Sequence, residues 1–291
     1  MMDLLQEQLF QLALVAALLV GLCAPAVGTF IVQRRLALLG DGIGHVALTG
    51  VALGFLTGTT PVLTAVIVSV IGAVAIELVR ARGRTSGDVA LALLFYGGIA
   101  GGVMLMGIAP GGSNAKLNSY LFGAIASVTP QDIWVIAALA VAVIAVVVIF
   151  GRELFVLCQD EEMARASGLP VRFLSLLIAV TAALTVVIAM RVVGLLLVSA
   201  LMVIPVATSQ QLTRGFRTTM GLAMLFGVLA SVGGLLASTY SAKVPPGAAI
   251  VLLALVGFVL ALGVGRFVRR GRTTQESTVS ERPKMPVEEA A

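Results

Sequence analysis

The chain has 291 residues, of which 59% are hydrophobic and 11% charged, with a mean hydropathy of +1.09 and a formal net charge of +5. Soluble globular proteins are about 45–50% apolar and about 25% charged, so the composition excludes a soluble domain. The basic residues fall in short clusters between apolar runs, and not in one stripe with aromatic residues, so no nucleic acid partner is expected. The composition predicts an all-α, polytopic protein whose surroundings are a lipid bilayer.

Apolar runs of about 20 residues, the length that crosses the hydrocarbon core, predict about nine transmembrane helices. They cover residues 9–33, 36–57, 60–80, 88–109, 131–150, 171–190, 192–212, 217–241 and 246–267. A further segment, 114–127, is too short to cross and is expected to form a re-entrant or interfacial helix. The last residues are polar and rich in Thr, Ser and Glu, so the chain is expected to divide into a transmembrane domain, 1–270, and a disordered tail, 271–291.

The distribution of basic residues predicts how the chain crosses the membrane. If the N-terminus lies outside, 16 of the 19 lysines and arginines lie on one side, and only Lys116, Arg191 and Lys243 lie on the other. Cytoplasmic loops carry the excess of positive charge in membrane proteins. The expected location is therefore the cell membrane, with the N-terminus outside and both the C-terminus and the tail in the cytoplasm.

Asp41 and His45, the only histidine, lie in the second predicted span. An ionisable side chain inside a bilayer costs about 2.5 kcal/mol or more unless it meets water, a partner or an ion. Residues four apart share one helix face, and a carboxylate with an imidazole suits zinc, manganese or iron(II). We expect a metal site near mid-membrane depth. The alternative is that Asp41 caps a helix starting near Gly42 while His45 bonds a neighbouring span.

The second predicted span and the residue that follows it are rich in glycine, at positions 40, 42, 44, 50, 54 and 58. They allow either close contact between helices or a local break that frees backbone carbonyls. The sequence contains no cysteine-rich, histidine-rich or multi-carboxylate cluster, so one copy of the chain supplies too few ligands for a tight metal cage. Weak binding of a transported ion, and no resident cofactor, is the expectation.

The polar stretch 160–170 carries the start and stop signals of one short helix. Asp160 is the expected N-cap, Glu161 and Glu162 are acids in the first turn, and Gly168 is the expected C-cap. This segment is the longest polar interruption between spans, which favours a docking element; an ordinary connecting loop is the alternative.

Residues 193–205 form an apolar run that contains Ser199 and ends with Pro205. A proline inside a helix frees a carbonyl and kinks the helix, which predicts either a gate or a packing feature. No Gly-Lys pair occurs in the chain, so a phosphate-binding P-loop is excluded and ATP would have to be used by another subunit.

The sequence resembles the permeases of zinc, manganese and iron ABC importers, the ZnuB-like family. The residues that carry the resemblance are Arg34 and Arg35, 41–50 (Asp-Gly-Ile-Gly-His-Val-Ala-Leu-Thr-Gly), 121–123 (Leu-Phe-Gly), 160–170, 193–205 and 245–248 (Pro-Pro-Gly-Ala). The resemblance implies a homodimeric permease that takes a divalent metal from an extracytoplasmic metal-binding protein. It also implies a separate cytoplasmic ATP-binding subunit, so the chain itself is not an enzyme.

Carried over to this sequence, the resemblance makes Asp41 and His45 ligands of the metal pathway. It makes the helix that includes Asp160, Glu161, Glu162, Ala164 and Gly168 the element that couples the permease to the ATPase. Two other functions remain open from the residues alone. One is a proton-coupled secondary carrier that uses Asp41 and His45 as a relay. The other is a non-transporting membrane scaffold assembled through its glycine-rich spans.

Overall fold

The structure is a computed structural model that describes residues 8–81, 87–110, 114–123, 130–190, 193–239 and 244–280. Within these ranges the chain forms eleven α-helices and no strand. In chain order they are α1 (Gln8–Gln33), α2 (Leu39–Thr57), α3 (Pro61–Ala81), α4 (Gly87–Ile108), α5 (Asn114–Phe122), α6 (Pro130–Gln159), α7 (Glu161–Ala166), α8 (Val171–Met190), α9 (Leu195–Leu212), α10 (Phe216–Thr239) and α11 (Pro246–Ser280).

Eight of these helices are long and apolar enough to cross a membrane: α1, α2, α3, α4, α6, α8, α10 and α11. The one other predicted span, 192–212, corresponds to α9, which has 18 residues and a shorter apolar part at Leu197–Leu212. The two short helices, α5 and α7, lie where the sequence predicts a non-crossing segment and a connecting helix. The prediction of an all-α polytopic membrane protein is confirmed.

Helices α1, α2 and α8 form the centre of the bundle. In the most apolar stretch of each, 72%, 67% and 72% of the residues are buried, whereas the figure is 22% for both α6 and α11. The outer helices expose large apolar side chains such as Trp134 and Val148 of α6. This arrangement suits a bilayer, because lipid takes the place of water around the outer helices.

Two helix ends differ from the prediction. The fifth span was expected to end at residue 150, but α6 continues to Gln159 because Leu154 and Leu157 are buried and extend its packed face. Helix α11 continues to Ser280, so the first ten residues of the expected disordered tail, 271–291, are helical. Their polar composition does not prevent them from extending a helix that is already formed, since adding a residue to a helix is easier than nucleating one. Residues 281–291 lie outside the described part of the chain.

Close backbone contacts position α2 and α9. Helix α4 packs on α2 through Gly98, where a Cβ atom would lie 2.6 Å from the backbone carbonyl carbon of His45. Gly194, just before α9, has φ of 88°, and a Cβ there would lie 2.3 Å from the carbonyl carbon of Phe122 at the end of α5. Only glycine allows these approaches. The end of α5 therefore packs directly on the start of α9.

Candidate functional site

Asp41 lies in the first turn of α2. A tight turn over residues 34–38 connects α1 to α2, and in it Arg35 adopts a left-handed conformation with φ of 58°. The Leu36 N–H bonds the Ile31 carbonyl at 2.9 Å, which folds the turn back along α1. Because the N-terminal end of a helix dipole is positive, the first turn of α2 favours the negative charge of Asp41.

The Asp41 carboxylate is held by a second helix. The Ser199 hydroxyl of α9 donates a hydrogen bond to Asp41 Oδ1 at 2.5 Å. The N-cap of α2 is Leu38, which makes no side-chain capping bond, so the alternative that Asp41 caps the helix is wrong. The Asp41 side chain faces α9, and it does so because Gly40 leaves room for Ser199 beside the helix.

His45 lies one turn further along α2 and is 7% exposed. Its ring packs against Phe95 of α4 in a T-shaped arrangement, with ring centroids 4.5 Å apart. Its Nδ1 atom is buried and has no hydrogen-bond partner among the described residues. Thr49, on the next turn, bonds the Gly98 carbonyl of α4 at 2.8 Å and so fixes α4 beside the histidine. Nδ1 therefore receives no hydrogen bond from a neighbouring span in the part of the chain that the structure describes.

The pair offers metal-binding chemistry but not a complete cage. Asp41 supplies carboxylate oxygens and His45 supplies an imidazole nitrogen, which together suit first-row divalent ions. Within the described ranges no group of three or more His, Cys, Asp or Glu side chains comes together. Such a pair can bind an ion only weakly unless other groups complete its coordination sphere.

Helix α2 is continuous from Leu39 to Thr57, so the glycines in it serve close packing and do not break the helix. Gly44 packs against Leu195, the first residue of α9, and Gly40 packs against Ser199. The two helices therefore run antiparallel, and α9 begins level with His45, part-way along α2. At about 1.5 Å per residue, Asp41 and His45 lie about 3 Å and about 9 Å from the start of α2.

The predicted helix around residues 160–168 is present as α7. The Asp160 carboxylate accepts hydrogen bonds from the backbone N–H groups of Glu162 and Met163, at 2.8 and 3.1 Å, as an N-cap does. Ala164 is fully buried, and Gly168 follows the helix with φ of 77°. The helix and its N-cap, Asp160, are as predicted, but the C-cap is Ser167 and Gly168 is the next residue, where its positive φ turns the chain away from the helix.

Arg34 joins α7 to the central helices. Its side chain is 8% exposed and forms an ion pair with Glu161 at 3.1 Å, and it donates a hydrogen bond to the Ser175 hydroxyl of α8 at 2.8 Å. Glu161 also pairs with Arg165 at 3.2 Å. A cavity of about 220 Å³ lies beside this cluster and is also lined by Glu77 and Arg80, which pair with each other. The contact between Arg34 and Glu161 was not predicted from the sequence, because no local pattern reveals a partner 127 residues away.

The predicted residues thus form two separate groups. Asp41 and Ser199 meet at the α2–α9 contact, with His45 one turn further along α2 and packed on Phe95 of α4, whereas residues 160–168 lie at the end of α1. Pro205 belongs to neither group: α9 continues through it, and it lines a cavity of about 280 Å³ between α9, α10 and α11. Phe95 and Gly98, which contact His45, were missed from the sequence. The small-residue run 97–102 of α4 was the only feature that could have pointed to them.

The sequence matches the ABC 3 transport family over residues 6–265. It is 36% identical over 259 residues to "Manganese transport system membrane protein MntC" of Halalkalibacterium halodurans, covering 89% of this chain and 88% of that protein. It is 32% identical to "Manganese import system permease protein ScaB" of Streptococcus parasanguinis, covering 92% and 94%. Among solved structures, the fold is similar to a chain of "PsaBC from Streptococcus pneumoniae in complex with Fab", with a TM-score of 0.81, 34% identity and coverage of 89% and 93%.

A second solved structure supports the fold alone. It is described as "An inward-facing conformation of a putative metal-chelate type ABC transporter", with a TM-score of 0.70 and 18% identity over 91% of this chain and 88% of that one. The family match covers most of the chain, and the relatives above 30% identity extend over nearly its whole length. The chain belongs to the ABC 3 transport family.

Proposed function

We propose that this chain is the membrane permease subunit of an ATP-driven importer for a divalent transition metal, and that the metal passes Asp41 and His45. The names of the relatives favour manganese as the first ion to test, ahead of zinc and iron(II). Membership of the ABC 3 transport family supports the transporter class. Because the chain has no P-loop, ATP would be used by a separate ATP-binding subunit.

The observation that carries the proposal is the unsatisfied Nδ1 of His45. A buried polar atom without a hydrogen-bond partner is unfavourable unless something else meets it. The Asp41 carboxylate lies one helical turn away, where it accepts the hydrogen bond from Ser199 that joins α2 to α9. A divalent ion passing along this face of α2 would satisfy both side chains for the time of its passage.

The remaining ligands must come from outside the pair. We propose that the permease is a homodimer and that a second copy of the chain, or water retained by the ion, completes the coordination sphere. Weak and incomplete binding by each copy suits transport, because an ion held by a closed cage would leave slowly. We also propose that the pair is reached from the two sides of the bilayer in alternation, although Asp41 lies near the start of α2 and His45 about 9 Å along it, which is nearer one membrane face than the mid-depth that the sequence predicts.

Helix α7 is proposed as the element that meets the cytoplasmic ATP-binding subunit. It projects between α6 and α8, its outer side exposes Met163, and Arg34 links it to the end of α1, five residues before α2 begins. Movement of α7 would therefore reach the turn that precedes Asp41. The opposite end of the bundle, which includes the short α5, would meet an extracytoplasmic metal-binding protein.

The test is metal uptake by proteoliposomes that contain this chain, its ATP-binding subunit and its metal-binding protein. Manganese, zinc and iron(II) are supplied in turn, with and without ATP. We expect ATP-dependent uptake of at least one ion, and we expect Asp41→Asn and His45→Ala each to abolish it. Ser231→Ala is the matched control, because Ser231 is a fully buried polar residue of α10 outside the pair.

Each outcome points to one function. ATP-dependent uptake that survives both substitutions would exclude Asp41 and His45 as the pathway. Uptake by the chain alone, driven by a proton gradient, would indicate a secondary carrier. No uptake of any metal by a folded, assembled complex would support the scaffold.

A further inference from the structure

An apolar groove of about 890 Å³ lies between α6 and α10 at the end of the bundle that carries α7. Its floor is a cluster of three aromatic rings: Phe216 lies 5.4 Å from Phe30 and 4.7 Å from Phe155, between ring centroids. Its outer rim includes Val148, which is 76% exposed. The volume is in the range of about 300–1,000 Å³ that ligand pockets occupy, and the groove opens on the outer surface of the bundle, where lipid lies.

Two arginines lie at the rim of this groove, Arg152 of α6 and Arg217 of α10. Both are exposed, and neither forms an ion pair within the part of the chain described. The neighbouring acid, Glu153, does not line the groove. Arg152 lies seven residues before the end of the α6 span, or about 10 Å along the helix axis. An arginine on the lipid-facing side at that depth needs an anion, or must extend to the headgroup region.

We propose that this groove binds an anionic phospholipid, whose phosphate contacts Arg152 and Arg217 and whose acyl chains lie on the aromatic floor. The two arginines supply charge-assisted hydrogen bonds to phosphate. The three phenylalanines supply an apolar surface deep enough to receive an acyl chain. The positive charge at the rim and the apolar residues below it match the charged headgroup and the acyl chains of an anionic phospholipid. Free phosphate has no acyl chain, and a neutral lipid has no negative charge. The inference requires only that the chain lies in a membrane, and not that it transports metal.

The experiment measures quenching of tryptophan fluorescence by brominated lipids in nanodiscs that hold the full chain. The only native tryptophan, Trp134, is replaced by Phe, and Val148→Trp places a single tryptophan at the groove rim, one turn from Arg152. Position 148 is exposed, so the substitution should not disturb folding. We expect brominated phosphatidylglycerol to quench at a several-fold lower mole fraction than brominated phosphatidylcholine.

Two controls make the test specific. The preference for the anionic lipid should be lost in the double variant Arg152→Gln, Arg217→Gln, and retained in Arg35→Gln, Arg172→Gln, which removes two other exposed charges. The unmodified chain provides a second control: Trp134 lies 14 residues away on the same helix, about 21 Å along its axis, and should show no preference.

Three outcomes would overturn the proposal. Equal quenching by the two lipids would show that the groove has no affinity for an anionic headgroup. A preference that persists in the Arg152→Gln, Arg217→Gln variant would assign it to another site. Quenching of the introduced tryptophan by neither lipid would indicate that a second copy of the chain covers the groove.

Discussion

The carboxylate of Asp41 is held by a residue 158 positions away, and that contact determines which way the carboxylate faces. The Ser199 hydroxyl donates to Asp41 Oδ1, which leaves the second oxygen of the carboxylate for another partner. Residues that orient a metal ligand commonly alter metal affinity or activity by about 10–100-fold when replaced. Ser199 therefore has the position of an orienting residue, if Asp41 is a ligand.

We expect Ser199→Ala to reduce metal uptake by about 10-fold or more, because the carboxylate loses the donor that fixes it. Uptake at low metal concentration measures the effect. Ser209→Ala is the matched control: Ser209 is a buried serine on the same helix, and its hydroxyl bonds only the Pro205 carbonyl of its own helix. Equal uptake by the Ser199 and Ser209 variants would contradict an orienting role.

Metal uptake should also depend on pH through His45. An imidazole binds metal only when it is neutral, and a histidine has an ordinary pKa of about 6.5. Protons compete with the metal below that range, so uptake at low metal concentration should fall as the pH is lowered from about 7.5 to about 5.5. Initial rates at fixed ATP, with ATPase activity measured in parallel, test this. A flat profile while metal binding limits the rate would refute the role of His45.

At the scale of helices, the α2–α4 contact offers a direct test of how closely the two must pack. Gly98 is buried against the His45 backbone, whereas a Cβ atom on the adjacent Gly97 would meet nothing within 4 Å. We expect Gly98→Ala to lower the free energy of unfolding by about 1–3 kcal/mol through overpacking and to reduce uptake. Gly97→Ala should be neutral or add up to about 1 kcal/mol, because alanine favours helix. Thermal unfolding of the two variants in detergent provides the comparison.

Helix α7 depends on one buried side chain. Ala164 is fully buried against the neighbouring helices, and Ala166, two residues on, is exposed. Ala164→Asp buries a charge without a partner, so we expect it to displace α7, to lower the melting temperature and to stop ATP-dependent uptake. Ala166→Asp should leave the melting temperature unchanged. Equal melting curves for the two variants would show that α7 is not held by this contact.

The sequence predicted elements better than the contacts between them. The apolar runs located the spans, and the polar residues around Asp160 predicted the start of α7 and its end to within one residue, because these features depend on residues close together in the chain. The bond from Ser199 to Asp41 and the ion pair from Arg34 to Glu161 join residues more than a hundred positions apart, and no local pattern records them. The continuation of α11 to Ser280 was missed because a polar segment was judged by composition alone.

For the whole molecule, the distribution of charge predicts an orientation that thiol labelling can measure. We expect Ser167→Cys, at the end of α7, to lie in the cytoplasm, and Thr59→Cys, between α2 and α3, to lie outside. Both positions are exposed. In a background in which Cys23 and Cys158 are replaced by Ala, an impermeant thiol reagent should label position 59 in intact cells and position 167 only after permeabilisation. The reverse pattern would invert the proposed orientation.

The contact between α2 and α4 also has a consequence for how this sequence can diverge. Because Gly98 leaves no space for any side chain while Gly97 faces outward, two identical neighbouring residues are under opposite constraints. In a library randomised at both codons and selected for growth on limiting metal, we expect glycine alone to survive at 98 and many small and apolar residues to survive at 97. Relatives of this protein could then vary the lipid-facing surface of α4 freely while the close contact between Gly98 and His45 is kept.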